Sequence, residues 1–289
     1  LCRKNKMQHS PLISCIIPTH NRAHLLERAI KSILNQTYKN IELIVINDNS
    51  NDDTEDIIIK YKLLYHNIIY IKNSVNQGAN VARNKGLYEA KGEFIAGLDD
   101  DDEWMPGRIE LMLQAFEDKY AYVYSDSIEV KNDKQHVERR KPYINYLDML
   151  KHGNITGTQI LTKKTYLIEA GGFDESLPAS QDYDMWMRLL QHRPWAKGVN
   201  TPLMVRHTRD CNNRISSSRD KAFRAKFRVY QKHKANMSRE IRKKRLFLIW
   251  KIRKKRLSIR SVLRRAPRNQ WPKEIRRSLK FTILKAFNK

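Results

Sequence analysis

Short apolar runs alternate with segments of helical periodicity through the first hundred residues. Residues 12–18, 41–46, 68–71 and 94–98 are short, apolar and mostly rich in β-branched side chains, which predicts four buried strands. Residues 23–36, 54–65 and 81–90 are predicted as the helices between them. Alternation of strand and helix indicates parallel crossover connections, so we expect an α/β fold with a doubly wound sheet.

The pattern after residue 119 is less regular. Strands are predicted at residues 120–130, 158–162 and 201–207, and short helices at residues 144–151 and 183–190. A turn is predicted at residues 171–175, which begin with two glycines. Asp182 directly precedes the second of these helices, at the position where an N-cap residue stands.

An unbroken acidic run, Asp99 to Glu103, follows the fourth predicted strand. Adjacent carboxylates repel one another, so a stable loop needs something to offset their charge. Mg²⁺ and Mn²⁺ prefer oxygen ligands and often bind through carboxylates together with substrate phosphates. The run therefore predicts a metal site, and an acidic loop that caps the helix starting near Pro106 is the open alternative.

Asp48 follows the second predicted strand in the same way. In open α/β sheets, ligands bind in the crevice at the carboxyl ends of the strands. Asp48 and the acidic run are therefore predicted to line one crevice. Asp48 also lies in a cluster of turn-forming residues, so a plain turn role remains the alternative.

The positive charge is concentrated near the C-terminus. Residues 219–289 contain 27 Lys and Arg against three acids, whereas the residues before them contain 29 basic and 28 acidic side chains. A near-neutral body argues against reading the whole chain as a nucleic-acid binder. We expect a leader or truncated linker at residues 1–11, a globular domain at 12–217 and a basic amphipathic helical tail at 218–289.

Cysteine usage and hydropathy bear on location. The three cysteines lack metal-ligand spacing and favour a reducing compartment. The longest uninterrupted apolar run, residues 246–250, is too short to span a bilayer, and the N-terminus has no apolar signal-peptide core. The first residue is not Met, so it need not be the native start.

The basic tail also has apolar residues near helical spacing. A first group comprises Met237, Ile241, Leu248, Ile252, Ile259, Val262 and Leu263, and a second comprises Ile275, Leu279, Ile283 and Phe287. Basic amphipathic helices suit an anionic membrane surface, which is the predicted partner of the tail. A solvated extension packed on the catalytic body is the alternative. Nucleic acid is disfavoured as a partner because no aromatic stacking platform is present.

Six segments, in order, carry a resemblance to a known family. They are residues 17–22 (IPTHNR), 45–54 (VINDNSNDDT), 76–86 (NQGANVARNKG), 98–104 (LDDDDEW), 171–175 (GGFDE) and 181–188 (QDYDMWMR). Over residues 12–217 the chain resembles a family 2 glycosyltransferase of the bacterial surface-polysaccharide type. The resemblance implies a GT-A fold, with a Rossmann-like, mostly parallel sheet flanked by helices, to which the basic helical extension is added.

The resemblance also implies roles for individual residues. The nucleotide-sugar site is expected to comprise Pro18, Thr19, Asn21, Asp48, Gly78, Arg83, Asp99 and Asp100. Asp99 and Asp101 are similar to the metal motif that holds Mn²⁺ or Mg²⁺, and Asp182 is similar to the catalytic base. The family often has Asp where Asn47 stands and Glu where Gln181 stands.

Three points about these residues stay open. Asp182 can be a plain N-cap, and Asp184 and Asp174 are the next candidates for the base. His207 ends a strand just after the acceptor segment and is predicted as a further metal ligand, although a lone histidine is more often structural.

The expected function is that of an inverting, metal-dependent glycosyltransferase. It would transfer a sugar from a nucleotide-sugar, with UDP favoured, to a hydroxyl of a glycan acceptor linked to a lipid. We expect a cytoplasmic enzyme, peripheral at the inner face of the plasma membrane, that acts in surface polysaccharide biosynthesis. One alternative is a sugar-nucleotide nucleotidyltransferase, although residues 19–22 contain no glycine. Another is a nucleic-acid-binding protein acting through the tail.

Overall fold

The structure, a computed structural model, describes residues 10–132, 134–208 and 218–253. The chain divides into two compact units. The larger unit comprises Leu1–Glu175 with Gln181–Asp210, and the smaller comprises Ser176–Ser180 with Cys211–Lys289.

Four parallel strands form the first half of the sheet in the larger unit. They are β1 (Ile13–Thr19), β2 (Ile41–Asn47), β3 (Ile68–Lys72) and β4 (Phe94–Gly97), in the spatial order β3-β2-β1-β4. The crossover helices are α1 (Ala23–Leu34), α2 (Thr54–Leu64) and α3 (Ala79–Glu89). Strands β1 and β2 are buried almost throughout because both faces of the sheet are covered, which is why they appear in the sequence as apolar runs.

The second half of the sheet is mixed. Strand β4 pairs antiparallel with β9 (Leu161–Lys163), and the sheet continues through β6 (Tyr120–Lys131), β10 (Trp195–His207) and β5 (Asp102–Trp104). Strands β6 and β10 are parallel, β5 is antiparallel to β10, and β7 (Lys134–Glu138) and β8 (Tyr143–Asn145) add two more antiparallel pairs. The predicted α/β fold is confirmed, with the parallel crossovers in the first half of the sheet and the mixed pairing in the second.

Four helices complete the described part of the larger unit: α4 (Arg108–Gln114), α5 (Tyr146–His152), α6 (Lys164–Glu169) and α7 (Gln181–His192). A capping box starts α5, in which Asn145 accepts from the backbone of Asp148 and the Asp148 side chain accepts in return. Helix α7 begins two residues earlier than predicted. Asp182 is therefore inside the first helical turn, and its predicted position as the N-cap residue is wrong.

The sheet brings several strand ends to one edge. Thr19 at the end of β1 pairs with Asn47 at the end of β2, and the Leu98 amide after β4 donates to the carbonyl of Ile16. Helix α3 lies close over these strands at Gly86, where an added Cβ would approach the side chains of Ile16 and Ile46 to 2.8 Å. Both predicted chemical segments therefore lie at the same edge, with α3 beside them.

The smaller unit contains two helices in the described residues. Helix α8 (Arg219–His233) is followed by a 3-10 turn (Lys234–Asn236) and by α9 (Arg239–Arg253), which packs against α8. Within the first predicted apolar group, Met237 and Ile241 are buried, while Leu248 is 37% exposed. The second predicted group lies outside the described residues. Among the described helices, none combines the length and the hydropathy needed to cross a bilayer.

Candidate active site

Asp48 organises the loop between β3 and α3. Its Oδ1 accepts from Asn73 Nδ2 (2.8 Å) and from the Gln77 amide (3.0 Å), and its Oδ2 accepts from the Gly78 amide (2.7 Å). A carboxylate offers about four lone-pair positions, and these three bonds leave room for one more donor. Asp48 therefore holds the loop between β3 and α3 in place, and its contact with a nucleotide base stays a prediction.

The loop after β1 is tied to the loop after β2. The Asp48 amide donates to the carbonyl of Thr19 (2.9 Å), and the Asn21 side chain accepts from the Asn51 amide (2.7 Å). Asn21 has a φ of 53°, a left-handed conformation that asparagine tolerates better than most residues. Pro18 and Thr19 end β1 directly beside this junction. The predicted nucleotide-binding residues on these loops are thus brought together.

Each of the first three aspartates of the acidic run pairs with an arginine. Arg83 Nη2 lies 2.7 Å from Asp99, while Arg22 Nη1 lies 2.8 Å from Asp100 and 3.4 Å from Asp101. Burial raises the pKa of Asp100 to about 6, against the opposing effect of Arg22. The repulsion predicted within the run is therefore offset in part by two guanidinium groups.

Three of these carboxylates also lie close enough to share one cation. Ligand oxygens of Asp99, Asp101 and Asp102 lie within 4.8 Å of one another. Two oxygens on opposite sides of a Mg²⁺ ion would be about 4.2 Å apart, slightly less than this limit, so a small inward movement of the side chains would let the three carboxylates hold a hard divalent cation. Asp102 is an addition to the predicted ligands. His207 lies at the end of the neighbouring strand, with its Nε2 2.8 Å from a carboxylate oxygen of Glu103, and its role as a ligand stays a prediction.

The buried side chain of Gln159 holds Asp102 in place. Its Nε2 donates to Asp102 Oδ2 (2.8 Å), and its Oε1 accepts from Trp104 Nε1 (2.7 Å). The backbone carbonyl of Gln159 accepts from Arg108 Nη2 (3.1 Å). Gln159 and Asp102 are both about 5% exposed or less. Sequence analysis missed this contact because the two residues are far apart in the chain and glutamine carries no motif here.

Asp182 lies near the acidic run. Burial raises the pKa of its carboxyl to about 7, Arg83 opposes this shift, and Asp99 adds to it. Arg83 and Asp99 thus link the Asp182 carboxyl electrostatically to the acidic run. A buried carboxylate with a pKa near neutrality is suited to accept a proton.

The two rival carboxylates have different surroundings. Asp184 is fully buried and pairs with Arg188 Nε at 2.9 Å, one turn further along α7, and Arg188 also donates to the carbonyl of Ala170. This ion pair assigns Asp184 a part in holding α7. Asp174 lies in the 171–175 turn, where its backbone carbonyl accepts from Asn80 Nδ2 (2.8 Å).

One face of α3 holds the 171–175 turn. Asn84 donates to the carbonyl of Phe173 (2.9 Å) and to Glu175 (2.8 Å), and it accepts from the Phe173 amide (2.7 Å). Gly172 has a φ of +67°, and an added Cβ would lie 2.9 Å from the Asn84 side chain. Arg83 lies 5.9 Å from the ring of Phe173. Asn80 and Asn84 were not predicted, although their four-residue spacing on one face of α3 was a usable signal.

The fold and this edge of the sheet define a class of protein, the glycosyltransferases of GT-A fold. The structure is similar to the crystal structure of S. aureus TarS 1–349 in complex with UDP-GlcNAc, with a TM-score of 0.67 and 16% sequence identity. The similarity covers 91% of this chain and 78% of that one. The family model for Glycosyl transferase family 2 matches residues 14–172. The chain therefore belongs to glycosyl transferase family 2.

Two relatives of known name are similar over long stretches. One is the "Putative colanic acid biosynthesis glycosyl transferase WcaA" of Escherichia coli (strain K12), 35% identical over 267 residues, which covers 89% of this chain and 94% of WcaA. The other is the "UDP-Glc:alpha-D-GlcNAc-diphosphoundecaprenol beta-1,3-glucosyltransferase WfaP" of Escherichia coli, 36% identical over 193 residues, which covers 65% of this chain and 74% of WfaP. Family membership confirms the recognised resemblance and disfavours the nucleotidyltransferase alternative.

Proposed function

We propose that this family 2 enzyme is an inverting, metal-dependent glycosyltransferase that uses a UDP-sugar and a lipid-linked glycan acceptor. The observation that carries the proposal is the combination of Asp182, buried with a pKa of about 7, and a carboxylate cluster electrostatically linked to it through Arg83 and Asp99. Asp182 is suited to take a proton, and the carboxylate cluster is suited to hold a cation that contacts a diphosphate.

Asp182 is the proposed base. The acceptor hydroxyl must lose its proton as its oxygen attacks the anomeric carbon, and a carboxylate within hydrogen-bonding reach can take that proton. A pKa of about 7 makes Asp182 a stronger base than an ordinary aspartate while leaving a large ionised fraction at neutral pH. A single displacement inverts the anomeric centre, so an α-linked donor would yield a β-linked product.

Asp99, Asp101 and Asp102 are the proposed holders of Mn²⁺ or Mg²⁺. Such an ion supplies Lewis-acid stabilisation of the negative charge that develops on the leaving diphosphate. Arg83 complements this arrangement, because its Nη1 is buried and has no hydrogen-bond partner among the described residues. A guanidinium N–H of this kind is a good donor to a phosphate oxygen.

The proposed donor and acceptor follow from the relatives together with the site. WfaP is named for UDP-Glc as donor, a diphosphoundecaprenol acceptor and a β-1,3 linkage, and WcaA is named for colanic acid biosynthesis. These names support a lipid-diphosphate-linked sugar as acceptor and a place in surface polysaccharide biosynthesis. The spare hydrogen-bonding capacity of Asp48 suits the imide N–H of uracil.

The basic tail is the proposed contact with the membrane. Residues 218–253 contain 14 Lys and Arg against two acids, and Leu246 and Leu248 of α9 are 40% and 37% exposed. Clustered cations with exposed leucines favour an anionic lipid surface. We therefore propose a cytoplasmic enzyme, peripheral at the inner face of the plasma membrane. Flotation with vesicles of phosphatidylcholine with and without phosphatidylglycerol tests this, and equal binding to both would contradict it.

The proposed reaction is tested with purified full-length protein, a panel of UDP-, GDP- and dTDP-sugars, and a synthetic acceptor carrying one sugar on a lipid diphosphate. Transfer is expected from a UDP-sugar, with Mn²⁺ or Mg²⁺ required, and EDTA should abolish it. The anomeric configuration of the product is read by NMR. An α-linked product from an α-linked donor, or full activity in EDTA, would overturn the proposal.

A further inference from the structure

Arg22 lies between the nucleotide loop and the acidic run. It is the last residue before α1, and its Nη1 makes a 2.8 Å contact with Asp100 Oδ1 and a 3.4 Å contact with Asp101 Oδ2. The three side chains are 18%, 7% and 14% exposed. Because water reaches this ion pair poorly, its charges interact more strongly than a surface pair would.

The two partners of Arg22 differ in what else they can do. Asp101 belongs to the cluster of ligand oxygens formed with Asp99 and Asp102, whereas Asp100 does not. Arg22 therefore makes its shorter contact with Asp100, which lies outside the cluster, and its longer contact with Asp101, which belongs to it. A cation that binds the Asp101 oxygen must compete with the guanidinium of Arg22 there, but it can leave the contact between Arg22 and Asp100 intact.

We propose that Arg22 is a positioning residue. It guards the carboxylate of Asp101 by staying in contact with it until a divalent cation takes the place of the guanidinium, and in this way it couples metal binding to donor binding. The inference rests on the proposed metal site. In the metal-free enzyme the guanidinium neutralises the acidic run and keeps its carboxylates from separating. When the cation binds, Arg22 stays on Asp100 and its positive charge lies close to that of the cation, where an anionic diphosphate compensates both charges.

The consequence is that metal should bind weakly without nucleotide and more tightly with it. Without nucleotide, the cation gains Asp101 only at the expense of the Arg22 contact. With a diphosphate present, the positive charge of the cation and that of Arg22 are both compensated. Removal of Arg22 should therefore strengthen metal binding to the nucleotide-free enzyme, whereas loss of a merely structural residue would weaken it or leave it unchanged.

The test measures Mn²⁺ affinity by electron paramagnetic resonance, first with Mn²⁺ alone and then with UDP. Arg22→Gln is expected to bind Mn²⁺ about tenfold more tightly than wild type without UDP, because the ion no longer competes with a guanidinium for the Asp101 carboxylate and one like charge near it has been removed. The ratio of the affinities with and without UDP should fall by a similar factor. Wild-type affinity or weaker binding in the variant would overturn the proposal.

Arg28→Gln is the matched control. Arg28 lies on α1, which Arg22 directly precedes, and its Nη2 donates to the backbone carbonyl of Asp101 (2.6 Å), so its removal deletes the same charge without touching a carboxylate contact. The gain in Mn²⁺ affinity should be clearly smaller than in Arg22→Gln. Equal gains in the two variants would show a general effect of net charge and contradict the proposal.

Two further variants keep the test decisive. Arg22→Lys retains the charge and should stay close to wild type in Mn²⁺ affinity, and a tenfold gain there would overturn the proposal. Arg22→Met preserves the apolar stem and replaces Arg22→Gln if that variant does not fold, as judged by circular dichroism. If wild type binds no Mn²⁺ even with UDP, the proposed metal site fails and the guarding role fails with it.

Discussion

The acidic run and the start of α7 carry carboxylates in contrasting surroundings. In the run, Asp99, Asp100 and Asp101 each have a guanidinium within 3.4 Å, and Asp102 has the amide of Gln159. At the start of α7, Asp182 is 8% exposed, and burial is the largest influence on its pKa. Arginine makes ion pairs with the acids in the first region, where burial still raises the pKa of Asp100 to about 6, whereas at Asp182 it opposes a larger rise to about 7.

The difference shows how one residue type can serve two purposes. A guanidinium next to a carboxylate favours the ionised form and so opposes the effect of burial, which suits such a carboxylate to exchange one cation for another. A carboxylate removed from water binds its proton more tightly, which suits it to accept one from a hydroxyl. We therefore assign cation binding to the run and proton transfer to Asp182, and the following predictions test that contrast.

Asp182→Asn should have the largest effect. Loss of a general base lowers turnover by about 10²–10⁴-fold, so transfer should fall within that range while UDP binding stays within about threefold of wild type. Turnover is measured with the lipid-linked acceptor, and UDP binding by calorimetry. Turnover near the wild-type value would exclude Asp182 as the base.

Asp184→Asn is the matched control for this prediction. It removes a carboxylate from the same helical turn but breaks the buried pair with Arg188, so it should lower the free energy of unfolding by about 3 kcal/mol. Its folded fraction should retain turnover within about tenfold of wild type. A loss of turnover in Asp184→Asn as large as in Asp182→Asn, in protein shown to be folded, would remove the contrast between them.

Asp101→Asn should act on metal-dependent binding. Residues that merely orient metal ligands contribute about 10–100-fold in metal affinity, so loss of a proposed ligand should weaken Mn²⁺ binding in the presence of UDP by at least that factor. The variant and wild type should bind UDP equally in EDTA. Unchanged Mn²⁺ affinity would place the metal away from Asp101.

Arg83→Gln should move the pH profile. Arg83 lowers the pKa of Asp182, so its removal should raise that pKa from about 7 by about one unit. Since the ionised form is the active one, the acid limb of kcat/KM should shift to higher pH by the same amount. The measurement is the pH at which kcat/KM falls to half its maximum, not the maximum itself, because Arg83 is also proposed to contact the diphosphate. An acid limb at the wild-type pH would show that Arg83 does not influence the pKa of the base.

The smallest effect concerns stability. The pKa of Asp182 is about 7 in the folded protein, against an ordinary value of about 3.9 when unfolded, so the folded state holds its proton more tightly. Stability should therefore decrease as pH rises from about 4 to 7. Asp182→Asn removes this contribution and should raise Tm at pH 8 by several degrees relative to wild type. Scanning fluorimetry at pH 5 and pH 8 checks it, and an equal difference in Tm at both values would contradict it.

Particular elements show how far the sequence could be interpreted. Strands β1, β2 and β4 were predicted within about one residue because strands covered on both faces are apolar along their whole length. Strand β5 was missed because it consists of Asp102, Glu103 and Trp104, which no pattern marks as a strand. It forms by antiparallel pairing with β10, a hundred residues later. The mixed half of the sheet was beyond local analysis for the same reason.

The start of α7 shows a second limit. The predicted helix began at residue 183, so Asp182 was placed at the N-cap, whereas the helix begins at Gln181. Helix boundaries depend on the chain that leads into them, and Ser180, with a φ of 62°, sets the turn here. The order of the six recognised segments was nevertheless sufficient to predict the family.

By itself, the sequence determined which residues begin and end the parallel strands, where carboxylates follow them, and where the basic charge is concentrated, because these properties depend on neighbours along the chain. Only the tertiary structure decided that Arg22 lies on Asp101, that Gln159 supports Asp102, and that Asp182 is buried beside the acidic run. Ion pairing and desolvation act through space, so they depend on contacts between segments that are far apart in the chain.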